Sequence, residues 1–246
     1  KNIFKWFTVN KLTLNAKKTK YTIFHSRYRN VNCDSFRLTM SNCQLEHVNE
    51  FKYLGVVFDS QLHWKKQINS VCIKLASGCS MLLATRNYFS RNILRVLYFS
   101  FVHSDLSYCL DSWEWTFKTY LDPIRILQKR ALRIIDYAAY NEPSESLFHK
   151  LDILPFDYIR QHKTAVTINN VIAHSVPFDV SIFSSSSRVT RCMTLRNFIL
   201  PPTKNVYGER LLQFVGAKVW NNIPLQIKDS RFFSSALKKY LLHVDQ

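Results

Sequence analysis

The spacing of apolar residues changes once along the chain, close to residue 59. Before that point, short stretches such as 36–40 and 51–58 alternate apolar and polar residues or are rich in β-branched and aromatic residues. Such stretches are typical of strands. After it, apolar residues recur every three or four positions from Leu62 to Ala84, which predicts one long amphipathic helix. Strands first and helices afterwards indicate an α+β fold.

Further elements follow from the same patterns. Tyr21–Phe24 has the composition of a third strand. Helices are predicted at about 90–103, from Pro123 onward, from about Pro155 to before His174, and at about 211–220 and 232–242. The serine run 184–187, with prolines on either side, predicts a loosely packed connection.

The net positive charge of the chain indicates which class of partner it binds. The 246 residues include 34 Lys and Arg against 17 Asp and Glu, a formal net charge of +17. Residues 1–30 contain eight of these cations, and the first acid is Asp34. This clustering favours a polyanionic partner, meaning nucleic acid or an anionic membrane face. A basic surface that meets only solvent explains the same charges and stays open as an alternative.

Several classes of protein are disfavoured. No run of about 18 uninterrupted apolar residues occurs, and the amino end does not have the pattern of a signal peptide, so we expect neither a membrane span nor secretion. An intracellular protein, nuclear or cytoplasmic, follows. The six Cys and the histidines His25, His47, His63 and His103 show no metal-ligand spacing, which predicts core thiols and no metal site. Without a Gly-rich phosphate loop, we expect no small-molecule substrate.

The most informative segment is Asn10–Phe24. It combines a basic, hydroxyl-bearing turn, 15–20, with the strand-like residues that follow. Lysine supplies a mobile point charge that suits phosphate. Taken alone, the segment fits a phosphate cradle or an ordinary solvated turn.

The same segment resembles the region after the metal-binding YADD loop in reverse transcriptases of non-LTR (LINE-type) retrotransposons. There, a helix ends in the pattern "W…N.L.LN..KT" and a strand follows. The residues at matching places are Trp6, Asn10, Leu12, Leu14, Asn15, Lys18 and Thr19. Residues 46–56 resemble the next block of that family, a hairpin that grips the primer end, and Asp59, Leu62 and Trp64 continue it. Further blocks match in order at Tyr98, Ser104, Tyr108, Trp113, 127–131, 133–135, 147–148, 151, 153–155 and 220–224.

The resemblance implies a domain organisation and a function. Residues 1–60 correspond to the end of a palm, with a small antiparallel sheet and the primer-grip-like hairpin. Residues 61–175 correspond to a helical thumb-like domain, and 176–246 to a C-terminal helical region. The chain is then the C-terminal portion of an RNA-directed DNA polymerase and binds template–primer nucleic acid.

The resemblance also bears on catalysis. Such polymerases hold two Mg²⁺ ions on paired aspartates, which in the family lie upstream of the region matched here. The chain contains no adjacent or strand-spaced acidic pair. We therefore expect no metal ligand and no cofactor in this chain, Mg²⁺ only in the full-length parent, and no polymerisation by this chain alone.

The resemblance assigns candidate site residues. Lys18 matches the family lysine proposed to protonate the leaving pyrophosphate, as a general acid. The remaining candidates would contact nucleic acid: Lys17, Thr19 and Lys20 in the basic turn, Phe51, Lys52, Tyr53, Leu54 and Gly55 in the primer grip, and Arg125, Lys129 and Arg133 on the thumb helix. For the last three, a merely solvated helix face remains the alternative.

Three positions depart from the family pattern. Cys109 stands where the family has a small residue, Glu114 follows Trp113, and Asp105 stands where His is common. These changes favour looser helix packing and fit a decaying copy of a mobile element. A second function, from a different class, also stays open: a domesticated, non-catalytic module that binds RNA or a partner protein outside any polymerase.

Overall fold

The computed structural model describes residues 2–13, 15, 18–26, 36–40, 43–177, 180–185 and 196–244. The chain divides into two compact units, 1–67 and 68–246. Helices predominate and the strands are short, which confirms the α+β, mainly helical fold class. The proposed boundaries at 60 and 175 stay predictions. Of the residues singled out above, Leu14, Lys17, Cys33, 186–187 and Cys192 lie outside the described part of the chain.

Among its described residues, the first unit contains one short helix, three pairs of strands and the start of helix α2, Lys65–Thr85. Its elements are α1 Asn2–Val9, β1 Lys20–Tyr21, β2 Thr39–Met40, β3 Cys43–Gln44, β4 Glu46–His47, β5 Glu50–Tyr53 and β6 Val56–Asp59. Strands β2 and β3 pair antiparallel, as do β5 and β6, with Glu50 opposite Asp59 and Tyr53 opposite Val56. Strands β1 and β4 pair in parallel, which the prediction of an antiparallel sheet did not include.

The segment 51–58 is a hairpin rather than the single strand that its composition suggests. The chain reverses at Leu54 and Gly55, which have positive φ values of 46° and 84°. A two-residue loop with positive φ at both positions matches the twist of the flanking strands, and glycine is the residue that adopts it most easily. The hairpin that the family resemblance implied is therefore confirmed, and the reading as one strand is wrong.

The second unit is helical. After α2 Lys65–Thr85, which begins in the first unit, its elements are α3 Arg91–Tyr98, a π-helical turn Phe99–His103, α4 Ser104–Ser107, α5 Leu110–Trp113, α6 Lys118–Asp136, α7 Glu145–Lys150, α8 Phe156–Ile172, a 3₁₀ turn Val180–Ile182, β7 Ser184–Ser185, β8 Phe198–Ile199, a 3₁₀ turn Gly208–Arg210, α9 Leu212–Asn221, α10 Leu225–Lys228 and α11 Phe233–His243. Strands β7 and β8 pair antiparallel. The helices predicted at 62–84, 155–174, 211–220 and 232–242 are thus confirmed to within three residues at each end.

Two helix predictions need correction. The helix expected to start at Pro123 begins at Lys118, so Pro123 lies inside its second turn. A proline there loses one backbone hydrogen bond, and the complete burial of Leu121 keeps the preceding turn on the core. The helix expected over 90–103 ends at Tyr98 and continues as the π-helical turn.

Helix α2 is, among the described residues, the one helix long and apolar enough to cross a membrane by length and composition. Its most apolar window has a mean hydropathy of 1.3. Five of its side chains lie along one face and are buried: Ile68, Val71, Leu75, Cys79 and Leu82. This burial identifies α2 as a core helix of the second unit.

The core of the second unit is closely packed around large side chains. Trp113 and Phe156 are buried and stack with ring centroids 6.4 Å apart. Buried Gln128 donates from Nε2 to Tyr98 Oη at 3.0 Å and to the Leu154 carbonyl at 2.9 Å, which ties three segments together. At Gly78 a Cβ atom would lie 2.9 Å from the Phe101 carbonyl oxygen, so α2 approaches the π-helical turn at a distance only glycine allows.

Cys109 and Glu114, two of the departures from the family pattern, lie in different surroundings. Cys109 is exposed and has a φ of 47°, a left-handed conformation, which gives a physical reason for a small residue at this place. Glu114 is fully buried and accepts a hydrogen bond from Thr164 Oγ1 at 2.6 Å. Burial raises the pKa of Glu114 to about 8, although the hydrogen bond from Thr164 lowers it, so the side chain is held in its neutral form near pH 7. The looser packing expected at these positions stays a prediction.

Candidate nucleic-acid interface

The basic turn is held by Asn15. Its carbonyl oxygen accepts from Thr19 N at 3.0 Å and from Thr19 Oγ1 at 2.9 Å, and its side-chain oxygen accepts from Lys18 N at 3.2 Å. Asparagine favours such local side-chain-to-backbone bonds. The turn is therefore fixed through the residues that match the family pattern, while the Lys18 side chain is exposed.

The parallel pairing of β1 with β4 brings this turn to the hairpin. Val48 N donates to the Tyr21 carbonyl at 3.0 Å, and Thr22 Oγ1 donates to the Val48 carbonyl at 2.7 Å. Residues more than 20 positions apart in the sequence thus become neighbours at the start of β5. The basic turn and the primer-grip-like hairpin, which sequence reasoning named separately, form one surface.

This surface contains a cleft of about 540 Å³. The residues that line it are Lys18, Lys20, Thr22, Phe24, Val48, Glu50, Phe51 and Lys52. Four of them, the three lysines and Phe51, are candidates named from the sequence. We call it the lysine cleft.

The lysines of the cleft differ in their partners. Lys20 pairs with Glu46 at 3.0 Å, and both side chains are largely exposed. Lys18 and Lys52 form no ion pair with any carboxylate that the structure describes. Glu50, the acid that lines the cleft, is paired with Lys66. Lys18 and Lys52 are therefore available to an external anion, and the negative charge of Glu50 beside them is already neutralised by Lys66.

Aromatic rings back the cleft. Phe24 is 53% exposed and meets Phe51 edge-on, with centroids 6.5 Å apart. Phe51 stacks on Phe58 at 5.2 Å, and Phe58 packs on Trp64 at the same distance. The row runs from the buried Trp64 to the exposed Phe24, so one end presents a π-face on which a base can stack.

The remaining primer-grip candidates lie at the tip of the hairpin. Tyr53 is 61% and Leu54 70% exposed, and with Gly55 they are outside the set that lines the cleft. Asp59 closes the other end of the hairpin, because its carboxylate accepts from the backbone N–H groups of Gln61, His63 and Trp64 at 2.8 to 3.1 Å. That network holds the approach to α2 and gives Asp59 a structural role.

The thumb-helix candidates all lie on α6, in the second unit. Arg125 donates to both carboxylate oxygens of Asp157 at 2.8 Å and also pairs with Asp122, so its guanidinium is already engaged. Arg133 donates from Nε to the Glu142 carbonyl at 2.9 Å. Lys129 is exposed and has no ion pair with a described carboxylate. Of the three, Lys129 is the one whose charge is free for a phosphate.

Sequence reasoning missed half of the cleft lining. Thr22 and Phe24 belong to the segment 10–24, and Val48 and Glu50 to the block 46–56, but none of the four was named as a candidate site residue. Their place in the cleft follows from the parallel strand pair, which local periodicity does not reveal. Trp64 and Trp220, which belong to blocks that match the family, are buried.

The described residues do not fit a divalent metal ion. No group of three His, Cys, Asp or Glu side chains converges within the part of the chain that the structure describes. Two-metal polymerase chemistry requires converging carboxylates. We therefore derive no step through Mg²⁺ from these residues.

Comparison with known proteins relates the chain to reverse transcriptases of LINE-type mobile elements. Over 138 residues it is 29% identical to the RNA-directed DNA polymerase from mobile element jockey of Drosophila funebris. The match covers 55% of this chain and 15% of that protein, so the chain corresponds to a small part of its relative. No protein-family model and no solved structure matches the chain.

Proposed function

We propose that the chain is the C-terminal portion of a retrotransposon RNA-directed DNA polymerase and that it holds template–primer nucleic acid. The observation that carries this proposal is the lysine cleft, where Lys18 and Lys52 present unpaired charge beside the exposed ring of Phe24. Lysines that neutralise phosphates release counterions, and this release drives binding that is indifferent to sequence. An aromatic face next to them adds base stacking for an unpaired strand.

The hairpin tip in the first unit and, separately, α6 in the second unit supply further proposed contacts. Tyr53, Leu54 and Gly55 would meet the primer end, with the Gly55 backbone close to a sugar-phosphate. Lys129 would touch a phosphate directly, and Arg133 would do so through its terminal guanidinium nitrogens. Arg125, whose three nitrogens all have partners, would contribute only the remaining N–H group of Nη2.

Catalysis belongs, in this proposal, to the full-length parent. There Mg²⁺ would be held by aspartates of the upstream palm, and Lys18 would supply a proton to the departing pyrophosphate. The chain alone would bind nucleic acid and not extend a primer. A protein with this activity acts where RNA and DNA are present, in the nucleus or the cytoplasm.

The salt dependence of binding tests the proposal. We expect the affinity for an RNA–DNA hybrid, measured by fluorescence anisotropy, to fall linearly on a log–log plot against salt concentration. Replacing Lys18 and Lys52 by Gln should lower the slope by about 2, roughly one for each phosphate contact. Lys5→Gln is the matched control, because Lys5 is exposed in the same unit and does not line the cleft.

Two results would contradict the proposal. A flat salt response would exclude phosphate binding and leave the protein-binding module as the remaining function. An equal loss of slope in the Lys5 variant and in either cleft variant would mean that net charge, not the lysine cleft, determines binding.

A further inference from the structure

The second unit contains a cavity with an unusual set of side chains. Its volume is about 420 Å³, and it lies among the π-helical turn, the loop 152–154, α8 and α11. Its polar lining is mostly basic or hydroxyl-bearing: His103, Ser107, His162, Lys163, Ser234 and Lys238. We call it the histidine–lysine pocket. The motifs of the sequence did not indicate it, because its residues come from four separate segments.

Only some of the positively charged side chains in the pocket form an ion pair with a described carboxylate. Asp152 is the one carboxylate among the described residues that line it. It is already shared, since Lys238 Nζ lies 2.6 Å and Arg95 Nη2 3.0 Å from Asp152 Oδ2. Lys163 forms no ion pair with a described carboxylate, although Asp111 attracts it at longer range. One ammonium group is thus left to an external anion.

The two histidines can donate hydrogen bonds, and burial and the positive charges around them lower their pKa values. His162 Nε2 donates to the Ser234 carbonyl at 2.9 Å, whereas His103 Nδ1 is buried without a hydrogen-bond partner among the described residues. Burial lowers the pKa of both rings, and the charges of Lys163 and Lys238 lower it further. At His162 the hydrogen bond to the Ser234 carbonyl raises the pKa and opposes part of this shift. An anion in the pocket would reverse that repulsion, whereas a divalent cation would increase it.

The apolar lining sets the size of the ligand. Phe99, Ile153, Leu154, Ile159 and Val166 form the rest of the wall, which leaves more room than a single phosphate fills. A π-helical turn, here carrying Phe99 and His103 with ring centroids 5.2 Å apart, is rare and frequently occurs at functional sites. A phosphate monoester has a charge of about −1.5 to −2 near neutral pH and three terminal oxygens, so it gains more from this basic lining than an internal phosphodiester, which carries a single charge.

We propose that the histidine–lysine pocket binds a phosphate monoester, carried either by the end of a nucleic-acid strand or by a free nucleotide. The Lys163 ammonium and the two imidazoles hold the phosphate oxygens, and the apolar wall contacts the attached sugar. This site does not rest on the proposed function, because the lysine cleft lies in the other unit and each can fail alone.

The experiment compares two oligonucleotides of one sequence, with and without a 5′-phosphate, by isothermal titration calorimetry. We expect the phosphorylated strand to bind about tenfold more tightly, as for charge-assisted hydrogen bonds. Lys163→Gln should abolish this preference. Lys239→Gln is the matched control, because Lys239 is exposed on α11 outside the pocket, and it should keep the preference. Competition by a nucleoside 5′-monophosphate would identify the free nucleotide as the source, and its absence the strand end.

A second measurement needs no variant. Addition of a nucleoside 5′-monophosphate or a phosphorylated strand should raise the titration midpoints of His103 and His162 in NMR spectra, with the exposed His174 as internal reference. Equal affinity for the two oligonucleotides together with unmoved histidine midpoints would overturn the proposal. So would an equal loss of preference in the Lys163 and Lys239 variants.

Discussion

The two compact units carry positive charge in different ways. Residues 1–67 contain 12 Lys and Arg against 4 Asp and Glu, whereas residues 68–246 contain 22 against 13. In the second unit, acids are shared between cations, as where Asp136 binds Arg91 and Lys150, each at 2.8 Å. Much of its charge therefore stabilises the fold.

In the first unit, fewer acidic side chains are present to form ion pairs with its Lys and Arg residues. Its described ion pairs join Lys20 to Glu46 and Lys66 to Glu50, while Lys18 and Lys52 have none. Net charge alone does not locate a binding surface. What matters is where cations that lack an internal partner lie together, as Lys18 and Lys52 do in the lysine cleft.

The units also differ in how they bury their aromatic rings. In the second, Trp113 and Phe156 are fully enclosed, whereas in the first the row of rings ends at the exposed Phe24. Substitutions of enclosed side chains in the second unit should therefore change stability, and those of exposed side chains at the lysine cleft should change binding. Four predictions test or sharpen this comparison.

Trp113→Ala should have the largest effect, because it removes a fully buried ring that stacks on Phe156. We expect the free energy of unfolding to fall by about 3 to 5 kcal/mol, measured by urea unfolding. Phe24→Ala is the control, because it removes an aromatic ring from the first unit. It should leave unfolding nearly unchanged and weaken the binding of a single-stranded oligonucleotide. A Phe24 variant as unstable as the Trp113 variant would contradict the division.

Glu114→Gln should change the pH dependence of stability. The pKa of this carboxyl is 4.5 in the unfolded chain and about 8 in the folded one. Between these values the folded state keeps a proton that the unfolded state has lost, so stability falls as pH rises. Relative to the wild type, the variant should gain on the order of 3 kcal/mol between pH 4.5 and pH 8. Urea unfolding at both pH values measures this gain, and parallel pH profiles for the two proteins would contradict it.

The burial of apolar helix residues and the burial of Glu114 show how far the sequence predicts the structure. The burial of the long helices was predictable, because a period of 3.6 residues places apolar positions such as Ile68 and Leu75 on one face. The burial of Glu114 was not, because its partner Thr164 is 50 positions away on another helix. The same reason hid the histidine–lysine pocket, whose residues meet only through tertiary packing.

Within the candidate interface, local chemistry and family resemblance succeeded where periodicity failed. The basic turn and hairpin were named from their residues, yet the composition of 51–58 suggested a single strand. The deciding feature was the backbone at Leu54 and Gly55, which a hydrophobic pattern does not record. Phe24 was missed as a lining residue because a parallel strand pair, unseen in the local pattern, carries it to Phe51.

The hairpin turn provides the third prediction. Gly55→Ala should destabilise the hairpin by about 1 to 2 kcal/mol, because an L-residue adopts a φ of 84° poorly. Leu54→Asn should instead stabilise the hairpin, since asparagine tolerates the left-handed conformation that Leu54 adopts at a φ of 46°. Hydrogen exchange over 50–59, followed by mass spectrometry, measures both. Faster exchange in the Leu54 variant as well would mean that side-chain contacts of Leu54 outweigh the relief of its backbone conformation.

Glu46→Gln should have the smallest effect on stability and is the sharpest test of the comparison. Its pair with Lys20 is exposed, so losing it should change the free energy of unfolding by less than about 0.5 kcal/mol. The substitution also removes a negative charge beside the lysine cleft and releases Lys20, which should strengthen binding to an RNA–DNA hybrid and steepen its salt dependence. Urea unfolding and anisotropy on the same variant separate the two effects. If Glu46→Gln were instead to destabilise the fold and leave binding unchanged, the ion pairs of the first unit would have the same structural role as those of the second, and the division of labour between the units would be wrong.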